Sequence, residues 1–264
     1  MEFKLASFKP LQESKRGFCP KCNKKFKFFC YYCYEIIGNK EGIPNVKLPL
    51  DTFIIHHPNE KKSKSTAVHA RILSKEAKIL EFPDDLENEE KKDAKFFNPN
   101  ETVVLFPSED SLSIPEVDWK QIKKVFFIDS TWNQTSSILS SKFIIPMKKV
   151  KISNYETKFW RYQNVGKNCL STIEAIYYFF KEYQIVVNGS YNSEFDNLLY
   201  YFIYFYNLIQ KNYQADSSKT FKRIDNYIQY ENENLNENQN QNQKKIKIKI
   251  KIKIKMKIKI KMKI

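Results

Sequence analysis

The feature of this chain that most constrains its fold is an apolar run, Val125-Phe126-Phe127-Ile128, which follows two lysines and ends at Asp129-Ser130-Thr131-Trp132. An uninterrupted run of this kind is typical of a strand buried on both faces of a parallel sheet. Ligands of open α/β sheets bind outside the carboxyl ends of the strands, so the acid, hydroxyls and indole that follow form a candidate site. The alternative is that Asp129 or Ser130 only caps the helix that begins at residues 133–135.

Further apolar runs, separated by polar breaks, predict an alternation of strands and helices. The predicted strands are residues 52–55, 102–106, 144–145 and 149–152, and the predicted helices are residues 67–73, 171–183 and 196–211. Ser65-Thr66 is a candidate cap for the first helix, and Ser171-Thr172-Ile173-Glu174 has the pattern of a capping box for the second. Residues 83–100, which are acidic, then basic, then rich in asparagine, indicate an exposed connection. This order predicts an α/β domain with a parallel sheet.

Four cysteines near the amino end form two CxxC pairs, Cys19/Cys22 and Cys30/Cys33. Two such pairs, separated by a hairpin-length segment, supply the four thiolates of a tetrahedral zinc site. Because four cysteines leave no open coordination position, the metal would be structural. The alternatives are a redox pair or four incidental thiols. The lysines and aromatic residues between the cysteines suit either RNA contact or packing onto the main domain, and we favour packing for most of the rings.

The charge of the chain is concentrated at its carboxyl end. The net charge is +15, but eleven lysines in residues 244–264 leave only +4 on the rest. Net charge is therefore a weak argument for polyanion binding by the body of the protein. No apolar run could span a membrane and no signal-peptide core is present, so we expect an intracellular protein without membrane contact. The low-complexity tail is expected to be disordered alone, with RNA affinity or a nuclear address as candidate roles.

Two further segments carry candidate site residues. His56 and His57 suggest a metal, but one histidine pair without a third ligand is more often structural, and we predict no metal there. The start of helix 67–73 favours an anionic group such as a carboxylate or phosphate. Arg161, among Phe159, Trp160 and Tyr162, suits a phosphate, a carboxylate or a stacked base, the alternative being core aromatic residues with a surface cation.

Taken in order, these blocks resemble the DTW-domain proteins, which are tRNA-uridine aminocarboxypropyltransferases. Asp129-Ser130-Thr131-Trp132 resembles the DxTW signature, with Ser130 where glycine is frequent in bacterial members. The resemblance covers residues 19–215 and is greatest to the eukaryotic branch. The other matching blocks are the paired CxxC knuckle, His57-Pro58-Asn59-Glu60, Lys64-Ser65-Thr66-Ala67, Leu105-Phe106-Pro107, Phe159-Trp160-Arg161 and Leu170-Ser171-Thr172-Ile173-Glu174-Ala175.

The resemblance implies a SPOUT-like, knotted α/β transferase that uses S-adenosylmethionine as donor. The family reaction moves the 3-amino-3-carboxypropyl group to N3 of a uridine in the tRNA D-loop and releases methylthioadenosine. The sequence is consistent with this fold, because its five glycines are scattered and form no Rossmann-type loop. S-adenosylmethionine would therefore need a different kind of binding site. The implied partner is tRNA, the implied cofactors are S-adenosylmethionine and structural zinc, and the expected location is the nucleus rather than the cytoplasm.

Residue roles follow from the matched blocks as hypotheses. Asp129 is the expected general base for the N3 proton, and Thr131 and Trp132 complete the catalytic signature, with the indole stacking on adenine or on the target base. Glu174 either contacts S-adenosylmethionine or is only the partner in its capping box. The residues expected to hold S-adenosylmethionine are Ser65, Thr66, Phe106, Pro107, Arg161, Leu170, Ser171, Thr172 and Glu174. The residues expected to contact RNA are His57, Glu60, Lys61, Lys62 and Lys64. The expected zinc ligands are Cys19, Cys22, Cys30 and Cys33.

The predicted organisation is an amino-terminal segment (1–18), a zinc knuckle (19–37), a transferase domain (45–215) and a low-complexity tail (231–264). Two other functions are compatible with the residues alone. A zinc-knuckle RNA-binding protein without catalysis would explain the cysteines, lysines and rings, but not the acid at the end of a buried strand. An S-adenosylmethionine-dependent RNA methyltransferase would need the same cofactor, so residue chemistry does not separate methyl from aminocarboxypropyl transfer.

Overall fold

The structure, a computed structural model, describes residues 3–161, 166–216 and 227–229. The strands are β1 (Gly17–Phe18), β2 (Lys25–Phe26), β3 (Asp51–His56), β4 (Ala77–Glu81), β5 (Thr102–Leu105), β6 (Leu112–Ser113), β7 (Lys124–Asp129) and β8 (Lys148–Lys151). The helices are α1 (Lys9–Gln12), α2 (Ala67–Leu73), α3 (Asp84–Lys92), α4 (Trp132–Leu139), α5 (Thr172–Asn188) and α6 (Tyr200–Gln214). Short 3₁₀ helices cover Ile114–Glu116 and Asp196–Leu199.

The main sheet has six strands in the order β4-β3-β7-β5-β8-β6, and every pair in it is parallel. The predicted α/β class with a parallel sheet is therefore confirmed. The apolar run of residues 125–128 lies in β7, between β3 and β5, as the prediction of a buried strand requires. The register pairs His56 of β3 with Asp129 of β7, so both strands end at the same edge of the sheet. The predicted knot stays a prediction.

Both faces of the sheet are covered, which explains why its strands carry continuous apolar runs. Ile54, Val125 and Phe127 face one side and pack in the same apolar cluster as α5. Phe53, Ile55, Val104 and Phe126 face the other side, where Leu86 of α3 and Ile138 of α4 cover them. Successive residues of a strand point to opposite faces, so each strand contributes to both layers.

Two expectations from the sequence were wrong. Residues 83–100 are not only an exposed connection, because they contain helix α3 and the buried Phe96. Acids lie in the first turn of α3 and Lys91 and Lys92 in the last, which complements the helix dipole. Residues 144–145 form a turn rather than a strand, and β8 begins only at Lys148. The short strands β4 and β6 were not predicted.

Helix boundaries were predicted more closely. Helix α2 has the predicted bounds, whereas α5 continues beyond residue 183 to Asn188 and ends at Gly189, which takes the left-handed conformation with φ +79°. The segment predicted as one helix over 196–211 starts as a 3₁₀ turn and becomes α-helical at Tyr200.

The chain divides into two compact units, residues 1–206 and 207–264. In the second unit, Gln210 bonds through its side chain to the backbone of Tyr227 and Gln229. The predicted low-complexity tail lies outside the described residues, and the predicted domain boundaries stay predictions. Among the helices that the structure describes, none combines the length and apolar character needed to cross a membrane.

Candidate active site

The carboxylate of Asp129 lies at the carboxyl end of β7 and is only 4% exposed. Three side chains donate hydrogen bonds to it: Ser65 Oγ to Oδ2 at 2.7 Å, Thr172 Oγ1 to Oδ1 at 2.6 Å, and His56 Nδ1 to Oδ2 at 2.8 Å. We call these four residues the Asp129 cluster. They come from the end of two strands, the loop before α2 and the start of α5, so distant parts of the chain meet at one acid.

The protonation state of His56 follows from its two acceptors. Nδ1 lies 2.8 Å from the Asp129 carboxylate and Nε2 lies 3.1 Å from the backbone carbonyl of Glu60. A carbonyl and an ionised carboxylate only accept, so these two contacts favour a proton on both ring nitrogens. Burial opposes this charged form, but the hydrogen bond and the charge of Asp129 outweigh burial and raise the pKa of His56. Glu81 adds to the rise and Lys62 opposes it. The cluster therefore contains a buried imidazolium–carboxylate pair.

This pair predicts how stability depends on pH. Because the pKa of His56 is raised on folding, its proton contributes stability that is fully present below the unfolded pKa of about 6.5 and is lost as pH rises through the folded pKa. We expect the wild-type Tm to fall across that window more steeply than the Tm of His56→Gln, which has no such proton to lose. Thermal unfolding of both proteins from roughly pH 6 to 9 tests this, and parallel curves would contradict it.

The residues of the DxTW block have two different positions. Asp129 belongs to the cluster, whereas Thr131 caps helix α4. Asp129 does not cap α4, because the N-cap is Thr131, which forms a capping box with Gln134. Thr131 N donates to Gln134 Oε1 at 3.0 Å, and Ser130 Oγ lies 2.8 Å from Thr135 Oγ1. The capping alternative for Asp129 and Ser130 was therefore wrong, and Asp129 is left for the site. Trp132 is the first residue of α4.

The loop between β3 and α2 wraps around the cluster. His57 donates its backbone N–H to the carbonyl of Asp129 at 3.1 Å, and its ring Nδ1 accepts from the backbone of Asn59 at 3.2 Å. Lys62 is half-buried and its ammonium lies 2.6 Å from Glu81, whereas Lys61 and Lys64 are exposed. The loop thus presents two exposed cations beside a buried acid.

The two hydroxyls before α2 do not cap it in the expected way. The N-cap Thr66 makes no side-chain bond to its own helix, and its Oγ1 instead accepts from the backbone of Ile173 at 3.1 Å. Ser65 Oγ accepts from Ala67 N at 3.1 Å while donating to Asp129. These contacts fix the start of α5 against the start of α2, and Thr172 is thereby held over the carboxylate.

Glu174 is 3% exposed and serves the capping box of α5. Its carboxylate accepts from Ser171 N and Oγ, Thr157 Oγ1 and Lys158 N, all between 2.7 and 2.8 Å. Burial raises its pKa despite these donors. The capping box is confirmed, whereas contact of Glu174 with S-adenosylmethionine stays a prediction. The same carboxylate positions the segment that leads to Arg161.

Arg161 is half-buried beside the loop that holds Ser65. Its Nη2 donates to the carbonyl of Ser63 at 3.3 Å, and among the described residues its buried Nη1 has no hydrogen-bond partner. Burial lowers the pKa of Arg161, and Glu60 partly offsets this. A buried guanidinium N–H without an acceptor fits an anionic ligand group such as a carboxylate.

The remaining residues predicted to contact S-adenosylmethionine lie at the edges of this region. Phe106 and Pro107 follow β5, the neighbour of β7, and Phe106 N donates to the carbonyl of Val150 at 2.9 Å. Leu170 directly precedes the capping box of α5. The hydrogen bonds described above do not link either segment to the Asp129 cluster. Their contact with S-adenosylmethionine stays a prediction.

The four cysteines of the knuckle converge as predicted. Their sulfurs all lie within 4.8 Å of one another, and Cys22 Sγ is 3.6 Å from Cys30 Sγ. This spacing fits one ion held at about 2.3 Å from each thiolate. The four thiols could therefore hold a metal ion, which would tie the two CxxC turns together without taking part in chemistry.

Most aromatic side chains of the knuckle are used in packing, as we favoured. Phe28 packs on Tyr204 and Phe205, and Phe29 packs on Tyr201 with ring centroids 4.9 Å apart. Tyr32 is 46% exposed, although its ring lies 4.8 Å from that of Tyr31.

Sequence reasoning missed His56 as a member of the site. We considered it only as a metal ligand and assigned the RNA contact to His57. The signal that could have found it is positional: His56 ends one apolar run as Asp129 ends another, and the ends of neighbouring parallel strands meet at one edge.

Comparison with known proteins identifies the family of the chain. The model of the DTW domain family matches residues 16–210. The tRNA-uridine aminocarboxypropyltransferase 1 of Xenopus tropicalis is 34% identical over 244 residues, covering 75% of this chain and 81% of that protein. The human protein of the same name is also 34% identical, over 256 residues, covering 79% and 81%. Among solved structures, the SAM-dependent rRNA:acp-transferase Tsr3 from Vulcanisaeta distributa aligns with TM-score 0.38 and 16% identity, covering 61% of this chain and 82% of that one. The family match and these two relatives show that the chain belongs to the DTW domain family.

Proposed function

We propose that this protein is a tRNA-uridine aminocarboxypropyltransferase, which transfers the 3-amino-3-carboxypropyl group of S-adenosylmethionine to N3 of a uridine in the tRNA D-loop. Membership of the DTW domain family and the names of its relatives support the reaction class. The observation that carries the proposal is the carboxylate of Asp129, buried at a strand end and oriented by three donors.

The chemistry assigned to Asp129 is removal of the N3 proton. Uridine N3 is a poor nucleophile until that proton is lost. The N3–carbon bond then forms as the bond between sulfur and the γ-carbon breaks, and sulfur keeps the electron pair and leaves as the neutral thioether methylthioadenosine. Oδ2 of Asp129 already accepts two hydrogen bonds, whereas Oδ1 accepts one, from Thr172, among the described residues. We therefore assign the proton to the second lone pair of Oδ1.

The donor must be held so that its γ-carbon, and not its methyl group, faces N3, which is a problem of orientation. The buried Nη1 of Arg161 is the best candidate for the donor carboxylate, because it is a charged donor without an acceptor among the described residues. The amides of Ser171 and Ile173 are already bonded to Glu174 and Thr66, so they suit this role less than Arg161 does. Ser65 and Thr172 place their hydroxyls at the reacting edge.

The proposed tRNA contacts are the exposed lysines of the loop and the metal-bound knuckle, with zinc as the metal because a four-cysteine set is typical of structural zinc. The lysine-rich tail is proposed to add affinity for RNA or to direct the protein to the nucleus. A D-loop uridine is weakly paired, so little free energy opposes its entry into a pocket.

Loss of the two loop lysines should weaken tRNA binding without altering the chemistry. For Lys61→Ala with Lys64→Ala, we expect the slope of log K against log salt to become less negative by roughly 0.7 to 0.9 per lysine. Binding isotherms at several salt concentrations measure this slope. The control is Lys47→Ala with Lys120→Ala, because these exposed lysines precede β3 and β7 at the opposite edge of the sheet. An equal change in both proteins would contradict the assignment.

The proposed reaction is tested by mass spectrometry of nucleosides from unmodified tRNA incubated with the protein and S-adenosylmethionine. An aminocarboxypropyl adduct on uridine is the expected result. A methyl adduct would replace the proposed reaction with methyl transfer. Tight, salt-sensitive binding without any adduct would favour a non-catalytic RNA-binding protein.

A further inference from the structure

The ring of Phe29 joins the knuckle to helix α2. Its centroid lies 5.6 Å from that of His69 in α2, in an edge-to-face arrangement, and 4.9 Å from that of Tyr201 in α6. The rings of His69 and Tyr201 also lie 5.7 Å apart. These three residues pack together where the knuckle meets two helices, and we call them the knuckle junction.

The second CxxC turn determines where the ring of Phe29 lies. Phe29 directly precedes Cys30, which is completely buried, and it pairs with Ile36 in an antiparallel bridge across the turn. Next to this bridge, Cys30 N donates to Glu35 O at 2.8 Å. The position of the ring thus depends on a turn that supplies two of the four clustered thiols.

His69 connects the junction to the candidate active site. It lies in the first turn of α2, directly after the loop that carries Ser63 and Ser65. Ser65 donates to Asp129 at 2.7 Å, and the carbonyl of Ser63 accepts from Arg161 at 3.3 Å. A movement of the start of α2 would therefore displace both contacts together.

The junction also lies beside the segment that carries Arg161. Phe205 of α6 has its ring 5.8 Å from that of His69 and 6.2 Å from the indole of Trp160, the residue before Arg161. One ring of α6 therefore contacts both the junction and the segment that carries the guanidinium.

Packing, and not hydrogen bonding, holds the junction together. Among the described residues, the buried Nδ1 of His69 and the hydroxyl of Tyr201 have no hydrogen-bond partner. Burial lowers the pKa of His69 to about 3, so its ring is neutral near pH 7. Van der Waals attraction falls by about a quarter to a half across a gap of about 0.5–1 Å, so the junction keeps its geometry only while its rings are in contact.

We propose that Phe29 is a positioning residue, which holds the start of α2 through His69 and thereby keeps Arg161 in place for the carboxylate of S-adenosylmethionine. This inference rests on the proposed function, in which Arg161 binds that carboxylate. Without the ring of Phe29 we expect α2 to shift toward the gap, and a displacement of about 1 Å in an active site can lower a rate by about 100-fold. The knuckle then supports donor binding through packing, in addition to its proposed contact with tRNA.

The test compares Phe29→Leu with the matched control Phe28→Leu in the full, zinc-loaded chain. Both rings are half-buried in the knuckle, but the aromatic contacts of Phe28 among the described residues are with Tyr204 and Phe205 of α6. We expect Phe29→Leu to weaken binding of S-adenosylmethionine, measured by calorimetry without tRNA, by roughly tenfold, and to raise its KM by a similar factor. Phe28→Leu should stay within about twofold of wild type. Zinc content and the Kd for tRNA should be unchanged in both.

A double-mutant cycle with His69→Leu tests whether the effect passes through α2. This substitution leaves the knuckle sequence intact and removes a buried nitrogen that has no partner among the described residues. Alone, it should weaken donor binding by roughly the same factor as Phe29→Leu. Combined with Phe29→Leu, it should add little further loss, whereas its effect and that of Phe28→Leu should multiply to within about twofold. If Phe29→Leu loses zinc, His69→Leu alone decides the matter.

Three outcomes would overturn the inference. Wild-type affinity for S-adenosylmethionine in Phe29→Leu or in His69→Leu would mean that the junction does not position the donor site. An equal loss in Phe28→Leu would attribute the effect to packing of the knuckle in general. Independent, multiplying losses in Phe29→Leu and His69→Leu would exclude α2 as the route. A wild-type protein that binds the donor but forms no aminocarboxypropyl adduct would refute the proposed reaction alone, because donor binding is measured without it.

Discussion

Replacing Asp129 by asparagine is expected to lower kcat for aminocarboxypropyl transfer by about 10²- to 10⁴-fold, the range for loss of a general base. The amide is nearly the same size but cannot take the N3 proton. Whichever way it turns, its NH₂ group faces a donor, either Thr172 or the pair formed by His56 and Ser65. Single-turnover assays with saturating tRNA and donor would measure the chemical step. Full activity in Asp129→Asn would rule out the general-base role.

The same substitution should also destabilise the fold, and unfolding alone would lower the activity. It leaves the buried imidazolium of His56 without its counter-charge, and breaking a buried pair commonly costs about 3–5 kcal/mol unless the remaining group neutralises. The double variant Asp129→Asn with His56→Gln removes both charges together. We expect it to regain part of the lost Tm and none of the lost activity. Recovery of activity in the double variant would show that the acid acts only through the fold.

The second large effect is expected when the proposed zinc ion is removed from the knuckle. The apolar cluster of this segment consists of the four cysteines with Phe26 and Ile37, so little remains to hold it once the metal is lost. Structural zinc binds such sites with on the order of 10–16 kcal/mol, so the segment should unfold without it. Cys30 is completely buried, and Cys30→Ser should lower Tm by about 10 °C or more.

Elemental analysis should find one zinc per wild-type chain and none in Cys30→Ser, and limited proteolysis should cut the variant within residues 17–37. Transfer activity should fall as well, because the knuckle carries part of the proposed tRNA surface. The control is Cys169→Ser, since this cysteine is not one of the four clustered thiols. A metal-free wild-type protein with an intact, protease-resistant knuckle would contradict the zinc assignment.

Features that depend on neighbouring residues could be predicted from the sequence. The CxxC pairs, the buried strand of residues 125–128 and the capping box at Ser171 are local patterns whose geometry is fixed within a few bonds or one helical turn. They were enough to predict the α/β class, the four-cysteine cluster and Asp129 at the end of a buried strand. Helix α3 was missed although its signals are local, because its charged residues were interpreted as a solvated connection.

Tertiary structure decided which of these local features meet. His56, Ser65 and Thr172 are separated from Asp129 by 73, 64 and 43 residues, and only the strand order and the packing of α2 against α5 bring them together. The same packing assigned Glu174 to its cap and left Arg161 Nη1 without a hydrogen-bond partner among the described residues. Sequence determines what each side chain can do, whereas long-range burial and pairing determine what it meets.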